Sequence, residues 1–153
     1  DEVLPEDERF FFLCQQLMQD FNLDYTLFFQ SLEKRDSEIK TDDFSNSFYR
    51  VLNESELKRL SNFIEKYQAR KLKNKISETE SLELMSKTNP KFILRNYLLF
   101  EAIQDAEQDN YERFFELKEA LENPYENRFP QFNQKRPSKY DNQTGCSQLS
   151  CSS

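Results

Sequence analysis

The sequence predicts an all-α fold, an irregular helical bundle followed by an extended C-terminal tail. Apolar residues recur at spacings of three and four over most of the chain, which places them on one side of a helix. Two pairs, Asn53 with Glu56 and Ser77 with Glu80, are typical of the capping box that starts a helix. The alternation of apolar and polar residues that marks a half-buried strand is missing. We therefore assign residues 1–126 to a helical region and residues 127–153 to an irregular tail.

The first two helices are predicted before residue 33. The first should run from about Glu6 to Asp20, and the side chain of Cys14 should be buried there as a small apolar group. Its buried face is expected to consist of Phe10, Leu13, Cys14, Leu17, Met18 and Phe21. Asp24 suits the N-cap of the second helix, because its carboxylate can accept a hydrogen bond from a free amide. Residues 37–46 are polar and predict a loop, and residues 47–52 predict a short helical turn.

The two capping boxes start a third and a fourth helix. One face of the third is apolar at helical spacing and the other is polar, so this helix should lie at the surface: Leu57, Leu60, Phe63, Ile64 and Tyr67. A basic cluster follows: Lys66, Arg70, Lys71, Lys73 and Lys75. It is interpreted either as a contact for a phosphate or an acidic partner, or as the solvated C-terminal end of a helix, where cations suit the macrodipole.

A central helix is predicted from Pro90 to about Glu107, with the proline at a first helical position. It is apolar on nearly every side, and such a helix must be covered on every side. Arg95 and Asn96 then fall among apolar neighbours. Arg95 should meet a carboxylate or backbone carbonyls, and Asn96 should have its amide satisfied, because buried polar groups are costly when unpaired. These two residues could fasten the region to another part of a protein or make an internal contact between helices.

The last predicted helix is capped by Asn110 and stopped by Pro124. One buried face is expected on it, made of Tyr111, Phe114, Phe115, Leu117 and Leu121. From Tyr125 onward, prolines and many Asn, Gln and Ser residues replace the periodicity. This tail must dock on something or stay disordered.

The composition excludes several kinds of functional site. The formal net charge of −7 argues against a general nucleic-acid binder, and no apolar run approaches the roughly 18 residues of a membrane span. The chain has no His, which removes the commonest general base and metal ligand. A single Gly excludes a glycine-rich phosphate loop, and three Cys without His make a zinc site improbable. The usual machinery of a free-standing enzyme is therefore missing from these 153 residues.

Three stretches of sequence carry a family resemblance. They are Asp24–Phe29 (DYTLFF), Asn89–Tyr97 (NPKFILRNY) with Ala102, Ile103 and Asn123-Pro124-Tyr125 after it, and the terminal Cys151-Ser152-Ser153. In these stretches the chain resembles the C-terminal region of the selenoprotein O family of protein adenylyltransferases. It departs from the family pattern at Gln108-Asp109-Asn110, where members usually have a Gly-Asp turn.

The resemblance implies an enzyme that this chain only partly represents. Members have a kinase-like core that binds ATP with divalent metal such as Mg²⁺ and transfers AMP to hydroxyl groups of protein substrates. The residues that bind ATP and metal lie upstream, so no catalytic, cofactor-binding or metal-binding residue is expected here, and the chain alone should be inactive. The implied partners are the upstream core and protein substrates, without nucleic acid or membrane. The implied location is mitochondrial in eukaryotes and cytoplasmic in bacteria.

The resemblance also suggests roles for single residues. Some members end in selenocysteine at the position of Cys151, so Cys151, with Cys146 five residues before it, is a redox candidate. Spacing alone favours two solvent-exposed thiols without a role, and the resemblance reverses this preference for Cys151 only. Asn89, Pro90, Arg95 and Asn96 are candidates for docking on the core, together with the apolar faces of the first and central helices. The alternatives are a stand-alone all-α module that binds a partner helix or peptide in a groove, and a small thiol redox protein.

Overall fold

The computed structural model describes residues 3–34, 38–144 and 146. Within these residues the chain is helical, which confirms the all-α prediction, and an isolated antiparallel bridge joins Leu23 to Phe48. The α-helices are α1 (Asp7–Asp20), α2 (Tyr25–Gln30), α3 (Glu54–Lys71), α4 (Glu78–Thr88), α5 (Asn96–Ala106) and α6 (Glu112–Glu122). The chain divides into two compact units, Asp1–Asn89 and Pro90–Ser153, each with its own core.

The core of the first unit is a cluster of aromatic and aliphatic side chains. Helix α1 packs on α3, and α2 packs on the 3₁₀-helix Thr41–Ser47. Phe63 of α3 lies at the centre, with its ring centroid 5.2 Å from that of Phe10 and 5.6 Å from that of Phe28. The buried members of this core are Cys14, Leu17, Phe21, Phe28, Leu32, Ile39, Phe44, Phe48, Leu52, Leu60, Phe63 and Ile64.

Three predicted helix starts have the expected hydrogen bonds. Asn53 Oδ1 accepts from the amide of Glu56 at 3.0 Å, and Glu56 Oε2 accepts from the amide of Asn53 at 2.9 Å. Ser77 and Glu80 make the same reciprocal pair at 3.2 and 2.9 Å. Asp24 Oδ1 accepts from the amide of Leu27 at 3.0 Å. Both capping boxes and the N-cap are therefore confirmed, because these side chains satisfy amides that a helix start leaves free.

The segment between α2 and α3 differs from its prediction. Residues Thr41–Ser47, expected to be mostly loop, form a 3₁₀-helix, and the helical turn predicted over 47–52 is wrong. Phe48 is extended there, and the amide of Asp24 donates to the carbonyl of Ser47 at 2.7 Å. Phe48 and Leu52 are both buried in the core, as expected, but an extended backbone places them there instead of the predicted helical turn.

The second unit combines α5, α6 and part of the predicted tail. Helix α5 packs on α6, and Asp109 in the turn between them has a φ of 59°, a left-handed value that Asp tolerates better than most residues. The buried core members are Phe92, Tyr97, Leu98, Ala102, Leu117, Ala120, Phe132, Tyr140 and Cys146. The last three belong to the predicted tail, so this part of the tail packs on the helices of the second unit.

The predicted start of the central helix at Pro90 is wrong. Helix α5 begins at Asn96, and residues 90–94 are not helical. The amides of Lys91 and Phe92 both donate to the carbonyl of Pro124, at 2.7 and 3.0 Å. These two bonds tie the segment before α5 to the chain just beyond the end of α6, where residues 90–94 are not helical.

The last helix was predicted to bury the wrong face. Its N-cap is Tyr111 rather than Asn110, although Asn110 Oδ1 accepts from the amide of Glu112 at 3.1 Å. Leu117 and Ala120 form the buried face of α6. The other apolar residues of the predicted face are exposed: Tyr111, Phe114, Phe115 and Leu121. Helix α6 therefore has two apolar sides, of which α5 and the tail use one.

None of the helices that the described residues form combines the length and apolar character needed to span a membrane.

Candidate functional site

Arg95, one of the predicted site residues, contacts the C-terminal segment (residues 129–144 with Cys146). Arg95 is the N-cap of α5 and is buried. Its Nη1 donates to the carbonyl of Phe132 at 3.4 Å. The expectation that Arg95 meets backbone carbonyls is confirmed, and the contact lies inside the second unit.

Glu101 of α5 supplies the second polar attachment of this segment. The hydroxyl of Tyr140 donates to Glu101 Oε1 at 2.5 Å, and Arg113 Nη1 donates to Oε2 at 2.9 Å. Arg113 also donates from Nε to Asp105 at 2.7 Å, which ties α6 to α5. Burial raises the pKa of Tyr140, and its hydrogen bond to Glu101 raises it further. The phenol thus stays a hydrogen-bond donor at neutral pH.

Aromatic packing completes the attachment. The ring of Tyr140 stacks on Tyr97 with centroids 5.7 Å apart, and Phe132 lies 6.0 Å from Phe92. Such pairs favour offset and tilted geometry and add to the free energy gained by burial. The C-terminal segment is therefore held on α5 by both apolar and charge-assisted contacts. These contacts have a structural role.

Of the two cysteines near the C-terminus, Cys146 and Cys151, the structure describes only Cys146. The side chain of Cys146 is buried in the second core, and burial together with the nearby Glu101 carboxylate raises the pKa of its thiol. It is free rather than disulfide-bonded. Cys151 lies outside the described residues. A redox role for either residue stays a prediction, although the environment of Cys146 disfavours the reactive thiolate.

The remaining docking candidates are spread over both units. Asn89 belongs to the first unit, where its Nδ2 donates to Glu33 at 3.0 Å. Pro90 opens the second unit and is half-buried. Asn96 is exposed, so the expectation that it lies among apolar neighbours is wrong. Asn96 is the first residue of α5, whereas the predicted helix from Pro90 would have placed it in the second turn.

The basic cluster at the end of α3 is largely engaged in ion pairs. Arg70 Nε lies 2.6 Å from Asp7, Lys71 lies 3.0 Å from Glu78, and Lys73 pairs with Glu6. The hydrogen bond from Arg70 holds the pKa of Asp7 below its usual value. These pairs favour the C-terminal end of a helix over a phosphate contact, although Arg70 and Lys71 are mostly shielded by their acidic partners rather than solvated. In the part of the chain that the structure describes, no group of three metal-ligating side chains occurs.

Cys14 should be chemically inert in the folded protein. Its side chain is buried, and burial raises the pKa of its thiol from 9.0 to about 11. At pH 8 this lowers the thiolate fraction about 100-fold relative to an ordinary thiol. We expect alkylation of Cys14, followed by peptide mass spectrometry at pH 8, to be slower than alkylation of the unfolded chain by at least that factor. Equal rates in the folded and urea-unfolded protein would contradict its burial.

Comparisons with known proteins show which family this sequence resembles. A family model described as protein adenylyltransferase SelO matches residues 3–122. The chain is 35% identical to the protein nucleotidyltransferase YdiU of Tolumonas auensis over 98% of its length, and 33% identical to that of Xanthomonas oryzae pv. oryzae over 99%. The YdiU protein of Cytophaga hutchinsonii is 32% identical over 99% of this chain. The class indicated is therefore a helical region shared with protein nucleotidyltransferases.

The chain belongs to the SelO family of protein adenylyltransferases. It spans 30% of the length of the curated relatives it matches. The resemblance seen in the sequence is thus confirmed at the level of the family.

Proposed function

We propose that this chain is the C-terminal helical region of a protein adenylyltransferase, and that it supports a kinase-like core. The observation that carries the proposal is the match of nearly the whole chain to less than a third of each relative. In this proposal the core binds ATP and Mg²⁺ and transfers AMP to Ser, Thr or Tyr hydroxyls of protein substrates. The 153-residue chain has no part in that chemistry and is inactive alone.

The exposed side of α5 supports a docking role. Tyr97, Leu98 and Ala102 are buried within the second unit, but Leu99 and Ile103 are 44% and 52% exposed. Fully burying such a side chain is worth about 1.5–3 kcal/mol. Because both side chains are already about half buried, a core that covers them would gain roughly half of that energy for each, and we assign this face to the contact with the core.

We further propose that Cys151 carries a redox response of the tail, by forming a disulfide with a cysteine of the core. Two thiols would then lose two electrons and two protons to a peroxide or disulfide oxidant. The cellular location would be mitochondrial in a eukaryote and cytoplasmic in a bacterium. Thiol titration of the whole protein before and after peroxide, with Cys151→Ser as the comparison, tests the disulfide.

The supporting role predicts that a charged α5 face impairs the whole enzyme. In the whole protein, the double substitution Leu99→Asp and Ile103→Asp should lower AMP transfer from labelled ATP and Mg²⁺ to a protein acceptor about tenfold or more, since carboxylates at an apolar contact cost free energy. The matched control is Val51→Asp, at a side chain 92% exposed. The 153-residue chain itself should give no labelling.

Two outcomes would contradict the proposal. Robust labelling by the isolated chain would end the assignment of catalysis to a separate core. Unchanged AMP transfer in the Leu99→Asp, Ile103→Asp protein would remove α5 from the contact. Circular dichroism of the same double variant in the 153-residue chain should be unchanged, because both side chains are already exposed there.

A further inference from the structure

The first unit contains an apolar groove that its own side chains leave open. The groove has a volume of about 710 Å³ and lies among α1, α2, α3 and α4. Its apolar lining includes Phe10, Phe11, Met18, Tyr67, Leu84 and Met85. Phe11 of α1 and Leu84 of α4 are 62% and 57% exposed, so the two walls present large apolar side chains to solvent. Concave apolar surfaces of this size are typical of binding sites.

The polar groups around the groove point to an apolar occupant. Asp7 and Arg70 bind each other at 2.6 Å, and Lys71 pairs with Glu78 at 3.0 Å. Across the described residues, no buried side-chain nitrogen or oxygen lacks a hydrogen-bond partner. A small polar ligand needs a few convergent polar groups to orient it, whereas the charged groups of this lining are already paired with their neighbours. Met18 and Met85 are flexible side chains that adapt to the shape of an apolar partner.

We propose that this groove is the docking site for an apolar segment of the kinase-like core in the same polypeptide. The inference rests on the proposed function, and it adds a second contact surface to the α5 face. More than two thirds of each relative lies outside the matched region, which provides the source of the segment. A segment tethered in the same chain has an effective concentration of the order of millimolar, so it outcompetes a second copy of the protein.

The groove can be distinguished from the rest of α1 by two neighbouring phenylalanines. Phe11 lines the groove, whereas Phe12 does not, and their exposures are 62% and 60%. In the whole protein, we would replace each in turn by the photo-crosslinking residue p-benzoylphenylalanine, and Leu99 likewise on the α5 face. Mass spectrometry of digested products would identify the partner peptide.

We expect the probe at position 11 to give an intramolecular crosslink to a peptide of the core, with the monomer mass unchanged. The charged variants Phe11→Glu and Leu84→Glu should speed protease cleavage of the native whole protein about tenfold, because undocking exposes the groove and its partner. Phe12→Glu should leave the cleavage rate within about twofold of the original.

The negative outcomes separate this inference from the proposed function. A crosslink from position 11 to a second copy, or none at all, would overturn the groove assignment. Equal effects of Phe11→Glu and Phe12→Glu would also overturn it, because the contact would then lie on α1 generally. In each case a crosslink from position 99 to the core leaves the proposed function standing, whereas its absence removes α5 from the contact and labelling by the isolated chain remains the test of the function itself.

Discussion

Phe63→Ala should unfold the first unit under conditions in which the original protein is stable. The side chain is 1% exposed and contacts three other aromatic rings, those of Phe10, Phe28 and Tyr67. Truncating a buried phenylalanine removes its transfer free energy and leaves a cavity, at a cost of about 3–5 kcal/mol. This is a large part of the 5–15 kcal/mol that stabilises a typical domain. Urea unfolding of the 153-residue chain, followed by circular dichroism, would measure the loss.

Phe12→Ala is the matched control for this prediction. The residue type is the same, but the Phe12 side chain is 60% exposed, so its truncation should change the free energy of unfolding by less than about 0.5 kcal/mol. A loss below 1 kcal/mol for Phe63→Ala would mean that the aromatic cluster is not the core of this unit. Because the chain has two units that can unfold separately, the urea unfolding transition should be followed with one spectroscopic probe in each unit.

The sequence predicted best those features whose cause lies within a few residues. A capping box needs only its first and fourth residues, and both boxes form as predicted at Asn53 and Ser77. The third helix likewise buries the middle of its predicted stripe, although Leu57 at its start is 42% exposed. Local hydrogen bonds and helical spacing therefore fix most of the first unit.

The errors arose where distant backbone groups decide the local structure. Pro90 suits a helix start, but the carbonyl of Pro124 binds the amides of Lys91 and Phe92, and no local pattern indicates a partner more than thirty residues away. Phe48 is extended for a similar reason, since its partner in the bridge is Leu23. Tertiary pairing overrides local propensity in both places.

The attachment of the tail was only partly predictable. A buried Arg95 had to meet an acceptor, so the sequence indicated the kind of partner but not that it would be the carbonyl of Phe132. The bond between Tyr140 and Glu101 gave no signal, because a lone tyrosine in a polar segment has no periodicity to place it. For α6, apolar residues lie on more than one side, so the sequence could not indicate which side is buried. The side that is buried belongs to the same core as α5 and the tail.

Arg95→Ala should release the C-terminal segment from the second unit. The guanidinium is buried and donates to the carbonyl of Phe132, so its loss leaves a buried acceptor unpaired and a gap at the start of α5. Hydrogen bonds from charged groups contribute about 1.5–3 kcal/mol, and we expect a destabilisation of about 2–3 kcal/mol. Once the segment leaves, Cys146 loses the burial that raises the pKa of its thiol. Thiol labelling at Cys146, read by peptide mass spectrometry, should therefore accelerate at least about tenfold.

Asn96→Ala provides the comparison, because the sequence placed both residues in the same apolar surroundings whereas the structure buries only Arg95. Its side chain is exposed at the first turn of α5, so labelling of Cys146 and the free energy of unfolding should stay near their original values. If Arg95→Ala also leaves Cys146 protected, the segment is held mainly by Tyr140 and the aromatic stack. Tyr140→Phe, which removes only the hydroxyl bound to Glu101, would then show the larger acceleration. Equal protection in all three variants would contradict a polar attachment of the segment and leave apolar packing of Phe132 as its cause.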